Sequence, residues 1–371
     1  MKKYNLALTA ASGVEGVTKN ELKRIGIDLS QAINGKIHFQ GSLIDLAKCN
    51  MFLRTADKAL LEVAKFQALS FDELFEGTFG VPWEDYLDPE AKFIIYGKSS
   101  KSKLFAVKAC QSIIKKAIIE RLKKKTRHSV FEEKGSRYYI DFYIHEDIVM
   151  LSLNASGEGL HKRGYRKLVG EAPLRETLAA AIILLSEWKS DTPFIDPFCG
   201  SGTLPIEAAL MAKNIAPGLN RSFAMEDYFF IDKKIMQDVR QSAKEQIEYD
   251  KPLRISGFDI DKKAIELSVL HAQKAGVKED IHFQAQDISK LSSRFSLGTI
   301  VTNPPYGERL MDKSSVMDLY IRLGEVYKSL DRWTFAVLTS HRDFQRLFGK
   351  RADKNRKLYN AKKECRLYIL K

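Results

Sequence analysis

The N-terminal part of the chain mixes short strands with helices. In residues 1–60, alternating apolar and polar positions predict strands over KYNLALT and KIHFQG, and helical spacing predicts helices over 14–25 and 43–50. The same mixture continues to residue 155, with helices predicted over FDELFEGTF and 107–125 and strands over ALLEVAKF, AKFIIYGK, RYYIDFYIH and IVMLSLNAS. The last two strands meet at Glu146 and Asp147, which indicates a hairpin. Both stretches are therefore α+β.

The C-terminal part has a different pattern. After a basic, glycine-containing linker at 156–172, helices alternate with apolar segments that end in FID, ISGFDID, IHFQAQD, GTIVTNPP and TFAVLTS. This alternation predicts an α/β fold, a doubly wound and mainly parallel sheet with helices on both faces, over residues 173–371. The tail RKLYNAKKECRLYIL predicts a final antiparallel pair. Residues 214–253 interrupt the alternation, and we interpret them as an insertion with one helix over 233–248.

Composition narrows the choice of class. With 44% hydrophobic and 29% charged residues in 371, the chain is typical of a globular protein. We expect no membrane span and no signal peptide, since the sequence has no long apolar run. The four scattered cysteines form no metal-binding motif, so we expect no metal, no disulfide framework and a cytoplasmic location.

Charge points to a polyanionic partner. The formal net charge is +13, and the excess is concentrated in two regions. Residues 98–167 hold 17 Lys and Arg against 7 Asp and Glu, and residues 341–371 hold 11 against 3. Clustered positive charge of this kind favours nucleic acid.

A glycine-containing octad follows the first strand of the C-terminal part. It runs from Asp196 to Thr203 (DPFCGSGT) and opens a helix. Glycines at such a turn let the backbone approach a ligand closely, and free amides at a helix start favour a polar or anionic group. The octad lacks both the Gly-Lys-Ser/Thr of a P-loop and the GxGxxG spacing of dinucleotide binding. We interpret it as a cofactor loop of another kind.

Two further carboxylates follow the next strands. Asp259 ends the second strand, where a carboxylate can accept hydrogen bonds from both hydroxyls of a ribose, and Asp261 is placed to cap the next helix. Asp287 follows the third strand. It could accept from an adenine amino group or simply cap the turn that follows.

The fourth strand ends in Asn303, Pro304, Pro305 and Tyr306. The prolines remove two backbone donors and stiffen the chain, which leaves carbonyl and Asn side-chain oxygens free to accept. An aromatic ring beside such acceptors suits a planar base that stacks while its amino group donates. Because an aryl amine is a weak nucleophile, orientation toward an electrophilic methyl must supply much of the acceleration. The tetrad therefore predicts N-methylation of a base.

These motifs together resemble a known family. HKRGYR at 161–166, the segment at 172–184, DPFCGSGT and NPPYGERL at 303–310 are similar to the THUMP-containing RNA methyltransferases, specifically the family of the bacterial 23S ribosomal RNA guanine-N2 methyltransferase. The resemblance implies a ferredoxin-like subdomain at 1–60, a THUMP RNA-binding domain at 61–155, and a class I, Rossmann-like methyltransferase domain at 173–371. Fused members of the family carry a second catalytic half, which we do not expect in this protein.

The resemblance also implies roles. Asp196, Phe198, Gly200, Gly202 and Thr203 would surround the methionine part of S-adenosyl-L-methionine. Asp259 would hold its ribose and Asp287 its adenine, and Arg175 and Thr177 would close the pocket. Asn303, Pro304, Pro305 and Tyr306 would present the target amine.

Basic side chains in two places are candidates for phosphate contacts with RNA. They are Lys123, Lys124, Lys125 and Arg127, and His161, Lys162, Arg163 and Arg166. Three hypotheses follow. The first is guanine-N2 methylation of 23S ribosomal RNA or a ribosomal precursor. The second is another amine, adenine N6 or a transfer RNA guanine. The third is a non-catalytic RNA-binding factor in ribosome assembly.

Overall fold

Two seven-stranded sheets form the framework of the molecule. The computed structural model describes residues 2–27, 31–33, 35–126, 133–166, 174–306, 313–361 and 363–371. No helix in these ranges is long and apolar enough to cross a membrane.

The first sheet holds the strands of the N-terminal half in the order β2-β3-β1-β4-β7-β6-β5. The elements, in chain order, are β1 (Tyr4–Ala10), α1 (Glu15–Arg24), β2 (Gln31–Ile33), β3 (Lys36–Gly41), α2 (Leu43–Phe52), β4 (Ala56–Gln67), α3 (Phe71–Phe79), β5 (Lys92–Ser100), α4 (Val107–Thr126), β6 (Arg137–His145) and β7 (Ile148–Asn154). Strand β4 pairs with β1 on one side and β7 on the other. The ferredoxin-like and THUMP segments therefore share one continuous sheet, joined through β4.

The two faces of this sheet differ. In β6, Tyr138, Ile140, Phe142 and Ile144 are buried in the core beneath the helices, and the alternate residues are half-buried or exposed. Glu146 and Asp147 turn between β6 and β7 with φ of 50° and 61°, as a two-residue hairpin requires. The predicted hairpin is confirmed, and one face of the sheet stays open.

The second sheet holds the C-terminal strands in the order β10-β9-β8-β11-β12-β14-β13. The elements are α5 (Glu176–Leu185), β8 (Phe194–Asp196), α6 (Thr203–Ala212), α7 (Lys233–Glu245), β9 (Ile255–Asp259), α8 (Lys262–Ala275), β10 (Ile281–Ala285), β11 (Gly298–Thr302), α9 (Lys313–Ser329), β12 (Trp333–Thr339), α10 (Phe344–Phe348), β13 (Lys354–Asn360) and β14 (Lys363–Leu370). Strands β8 to β12 are parallel, and β14 runs antiparallel between β12 and β13. The carboxyl ends of β8, β9, β10 and β11 therefore meet at one edge.

The segment at 214–253 packs on the N-terminal half. Tyr228 stacks on Tyr138 of β6, with ring centroids 4.6 Å apart and planes 11° from parallel. Its hydroxyl donates to the carbonyl oxygen of Asn154, and the amide of Met225 donates to that of Ala155. The insertion thus belongs to the core of the first sheet, although in the chain it lies between two strands of the second sheet, β8 and β9.

A buried ion pair joins the two halves. Arg163 is 4% exposed, and its Nε lies 3.5 Å from Glu207 Oε1 on α6. The same guanidinium donates to the carbonyls of Leu160 and Arg54. Burying a charge is unfavourable without such partners, so Arg163 is held inside the protein and its guanidinium does not face a surface phosphate.

Candidate active site

The cofactor loop is held in place by the carboxylate of the neighbouring strand. The amide of Gly200 donates to Asp259 Oδ2 at 2.9 Å, and the amide of Cys199 donates to the carbonyl of Phe258 at 2.8 Å. The other Asp259 oxygen accepts from the amide of Asp261. Asp259 therefore orders the turn that the octad forms, in addition to the ribose contact expected of it.

Glycines give this turn its shape. Gly200 and Gly202 have φ of 50° and 81°, in the left-handed region that favours glycine. A Cβ on Gly202 would lie 2.8 Å from Ser268 Cβ on α8, whereas a Cβ on Gly200 would meet no atom within 4 Å. Gly202 is needed for packing, and Gly200 borders open space.

Asp196 is buried at the end of β8, where it is 1% exposed. Its Oδ1 accepts from Thr302 Oγ1 at 2.7 Å and from the Phe198 amide at 3.2 Å. Burial raises the pKa of this carboxyl to about 7, with a smaller contribution from the charge of Asp259. Because Thr302 directly precedes Asn303, Asp196 links the cofactor loop to the tetrad.

The remaining carboxylates both serve as caps. Asp261 accepts from the Lys263 amide at the start of α8, which confirms its predicted capping contact. Asp287 accepts from the Ser289 amide at 2.8 Å and begins a short 3₁₀ turn, and Arg322 of α9 lies 3.8 Å away. Hydrogen bonds from Ser289 lower the pKa of Asp287. In this structure Asp287 has the capping contact, and the adenine contact stays a prediction.

Two hydrogen-bond acceptors of the tetrad already have tyrosine hydroxyls as partners in this structure. The Tyr306 hydroxyl donates to Asn303 Oδ1, and the Tyr320 hydroxyl lies 3.3 Å from the carbonyl oxygen of Pro305. The sequence predicted free acceptors at both places. They are occupied because two tyrosine hydroxyls inside the domain need acceptors of their own.

The ring of Tyr306 rests against the last hairpin. Lys363 Nζ lies 4.6 Å from its centroid, and Cys365 Sγ is 3.8 Å from its hydroxyl. Burial raises the pKa of the Tyr306 hydroxyl, so this group stays protonated as a donor. Pro304 is buried, and residues 307–312, which include the Gly307 to Leu310 part of the motif, lie outside the described residues.

Arg175 and Thr177 lie away from the cofactor loop. Thr177 is buried and donates to Asp57 Oδ1 of the N-terminal half at 3.0 Å. Arg175 is exposed at the start of α5 and lines a cleft of about 1240 Å³ between the halves. The structure therefore places both at the junction of the halves, and their role in closing the pocket stays a prediction.

The predicted phosphate contacts fall into three groups. Lys123, Lys124 and Lys125 end α4 with Lys124 and Lys125 exposed, whereas Arg127 lies outside the described residues. Arg166 is turned inward, with its Nε 3.4 Å from Glu176 and its Nη2 donating to Thr203 Oγ1 at 2.6 Å. These partners are intramolecular, as for Arg163, because the buried carboxylates Glu176 on α5 and Glu207 on α6 need a cation.

His161 and Lys162 line the cleft. Lys162 is exposed and pairs with Glu158 at 2.8 Å. Burial and the charges of Arg175, Arg163, Lys162 and Arg221 lower the pKa of His161 to about 4. At neutral pH the imidazole is uncharged, so it can offer RNA a hydrogen bond but no cation.

Sequence reasoning missed three residues at the site. The Thr302 hydroxyl donates to Asp196, and the Tyr320 hydroxyl donates to the carbonyl oxygen of Pro305. Ile260 follows Asp259 and is 73% exposed beside the cofactor loop. An exposed large apolar side chain at the mouth of a site can cover a flat ligand. The sequence could have pointed to Ile260, because it is an apolar residue directly after the carboxylate that ends the second strand.

The sheet order and the glycine turn after β8 define the class. A central parallel sheet with one antiparallel strand near its edge, a cofactor loop after the first strand and a carboxylate after the second are the class I, Rossmann-like methyltransferase fold. Models of three families match the chain: the RlmL ferredoxin-like domain over residues 5–60, the THUMP domain over 68–154, and the RMKL-like methyltransferase domain over 163–369. The chain belongs to the RMKL-like methyltransferase family.

Individual relatives are similar along the whole chain. "Putative RNA methyltransferase YpsC" of Bacillus subtilis is 42% identical over 363 residues, which are 97% of this chain and 94% of that protein. Ribosomal RNA large subunit methyltransferase K/L of Psychromonas ingrahamii is 35% identical over 96% of this chain, but the chain spans only 49% of that enzyme. The crystal structure of SMU.472 with S-adenosylhomocysteine has a TM-score of 0.94 and 41% identity, and the match covers 100% of this chain and 98% of SMU.472.

Proposed function

We propose that this protein transfers a methyl group from S-adenosylmethionine to the exocyclic amine of a base in RNA, and that this amine is guanine N2 of 23S ribosomal RNA. The observation that carries the proposal is the hydrogen bond from Thr302 to Asp196. Through it, a cofactor loop and an amine-presenting tetrad are joined side by side at the carboxyl edge of β8 and β11.

The residues present fit the cofactor. The space beside Gly200 admits a ligand close to the backbone, and Asp196 and Asp259 offer carboxylates on either side of that turn. Ile260 offers an apolar surface for a purine ring. Bound there, S-adenosylmethionine would supply an electrophilic methyl group.

The tetrad would orient the nucleophile. Asn303 Oδ1 and a proline carbonyl accept from the amine, which fixes its plane, and Tyr306 stacks on the base. For this to happen the Tyr306 hydroxyl must leave Asn303. A base inside a duplex or stack must be flipped out to reach the tetrad, and the ring of Tyr306 would replace its lost stacking.

Family membership supports RNA as the substrate. The THUMP match and the names of two relatives, one of them a large-subunit ribosomal RNA methyltransferase, favour it. The tetrad accommodates guanine N2 and adenine N6 equally. The choice of guanine rests on the family resemblance.

Substitutions in the tetrad test the chemistry. Asn303→Ala removes an acceptor used in the transition state, so we expect S-adenosylmethionine binding by calorimetry to stay within about twofold and methyl transfer to fall by about 100-fold or more. Tyr306→Phe keeps the stacking ring and should transfer at close to the wild-type rate, whereas Tyr306→Ala should lose about tenfold or more.

Comparing RNA modifications with and without the gene identifies the nucleotide that the enzyme methylates. Deleting the gene and comparing methylated nucleosides in ribosomal and transfer RNA by mass spectrometry should show the loss of one N2-methylguanosine in 23S RNA. Loss of an N6-methyladenosine, or of a transfer RNA modification, would replace guanine N2 of 23S RNA as the target. Normal transfer by Asn303→Ala would contradict the role of the tetrad.

A further inference from the structure

The open face of the N-terminal sheet carries aromatic and basic side chains. Parallel pairing of β5 with β6 sets Lys92 beside Arg137, Tyr96 beside Asp141 and Lys98 beside Tyr143. These residues alternate with the buried ones, so they share the face that the helices leave uncovered. Tyr96 is 48% exposed, with Lys58 Nζ 5.6 Å from its ring centroid.

This face is concave. Lys36 lies on β3 and Tyr143 on β6, and three strands separate them in the sheet. A flat sheet would hold those strands about 19 Å apart. Lys36 Nζ nevertheless lies 4.5 Å from the centroid of the Tyr143 ring. The sheet must curl to allow this contact, and the open face becomes a trough.

The trough carries positive charge that the protein does not neutralise. Its carboxylate Asp141 pairs with Lys58 at 2.7 Å, and Glu62 lies 3.0 Å from His38 and interacts with the charge of Lys36. Within the described part of the chain, Lys92, Lys98 and Arg137 are exposed and have no ion pair. An exposed ring among unpaired cations is the combination that single-stranded nucleic acid needs, because bases stack while phosphates are neutralised.

One end of the trough opens into the cleft between the halves. Lys92, Arg137 and Tyr139, at the starts of β5 and β6, line the cleft between the halves, as do Arg175 and Arg166. Arg166 in turn donates to Thr203 of the cofactor loop. Asp57 at the junction feels the charges of Arg175, Arg163 and Lys98, which counter the rise in its pKa caused by burial. A strand lying in the trough would therefore end at the cleft, one wall of which carries Arg166.

We propose that this trough binds an unpaired segment of the substrate RNA, with one base stacked on Tyr96 and phosphates contacting Lys92, Lys98 and Arg137. The inference rests on the proposed function, since it needs an RNA substrate. It gives the N-terminal half a surface for single strands beside the target nucleotide. It also differs from the location expected from sequence, because Lys123, Lys124 and Lys125 end helix α4, which packs on the other face of the sheet.

Fluorescence anisotropy with a labelled oligouridine, titrated over a range of salt concentrations, tests the trough. Tyr96→Ala should weaken binding about tenfold, and Tyr96→Phe should restore it because the ring is enough for stacking. Replacing Lys92, Lys98 and Arg137 together by Gln should reduce the slope of log K against log salt by about 2. Tyr249→Ala, which removes another exposed tyrosine, one whose carbonyl accepts from Lys213 of the C-terminal half, is the matched control and should bind like wild type.

The outcomes separate the two proposals. Wild-type protein that binds oligouridine while Tyr96→Ala and the triple variant bind equally well overturns the trough and leaves the methyltransferase proposal standing. The same holds if neutralising Lys123, Lys124 and Lys125 removes binding that the trough variants keep. Intact oligouridine binding without methyl transfer to any RNA overturns the proposed function instead. Calorimetry with S-adenosylmethionine on each variant shows that the C-terminal half is folded.

Discussion

At the scale of single residues, Asp196 has the most unusual environment at the site. Its carboxyl is buried, and a single hydroxyl and one amide are the donors described for it. Two donors do not replace the water that a carboxylate loses on burial, so the neutral form is favoured and the pKa rises to about 7. A cationic ligand beside this carboxyl would favour the ionised form. Cofactor binding and deprotonation of Asp196 are therefore expected to be coupled.

This coupling predicts two effects of pH. Because the pKa of Asp196 in the folded protein exceeds its usual value of 3.8, its contribution to stability is complete below about pH 4 and is lost as pH rises toward 7. Thermal unfolding of the ligand-free wild type, compared with Asp196→Asn, should show a relative loss of up to about 4 kcal/mol over that range. Calorimetry should show S-adenosylmethionine binding that tightens from pH 6 to 8 in wild type only. A difference between the two proteins that does not vary with pH would contradict the assignment.

At the scale of elements, the turn between β8 and α6 predicts different results for its two glycines. Gly202→Ala forces a Cβ to 2.8 Å from Ser268 and strains a φ of 81°, so we expect a loss of about 2 kcal/mol or more in stability. Gly200→Ala has only the strain, about 1 kcal/mol, but its methyl group enters the space beside the loop. It should lower S-adenosylmethionine affinity about tenfold or more. Denaturant melts and calorimetry separate the two effects, and equal stability losses would refute the distinction.

The elements themselves could be predicted from sequence because their causes are local. The segment FDELFEGTF forms α3 over the same residues, and the tail forms the antiparallel pair β13 and β14. The alternation of helices and strands correctly predicted the mainly parallel sheet, and the family resemblance correctly predicted the class I fold. Among the described residues, the short elements that the sequence did not predict include four 3₁₀ turns and β2, a three-residue strand without a clear period.

The contacts of the site could not be predicted, because they depend on distant partners. An arginine in the basic run HKRGYR has the same local sequence whether it meets phosphate or a carboxylate on α6, so Arg163 and Arg166 were placed on the surface by charge alone. The contact of Tyr306 with Asn303 depends on the packing of its ring against β14. Sequence could name the residues of the site, whereas only the fold gives their partners.

At the scale of the whole molecule, the insertion makes the two halves interdependent. Its buried residues Phe223, Met225, Tyr228 and Met236 complete the core of the first sheet. Arg221 donates to the carbonyls of Ser156, Glu158, Gly159 and Lys162 and so holds the linker between the halves. The protein should therefore unfold in one transition.

A fragment tests this interdependence. Residues 156–371 expressed alone would expose the apolar side of the insertion, and we expect aggregation or oligomers by size-exclusion chromatography. In the full chain, Tyr228→Ala should cost about 3 kcal/mol or more and lower the single melting temperature. A monomeric, well-folded fragment, or two separate melting transitions in the wild type, would show that the halves are independent.

Because the insertion packs in the core of the N-terminal sheet, it also limits where this enzyme can be recombined with its relatives. A crossover in the linker would pair one parent's sheet with the other parent's Tyr228 and Met225, and the stack on Tyr138 would be lost or mismatched. The segment to exchange is therefore discontinuous: residues 1–155 and 214–253 must come from the same parent to keep this core intact. Chimeras designed on that rule would keep the cofactor loop and the tetrad unchanged and would show whether RNA preference moves with the exchanged segments.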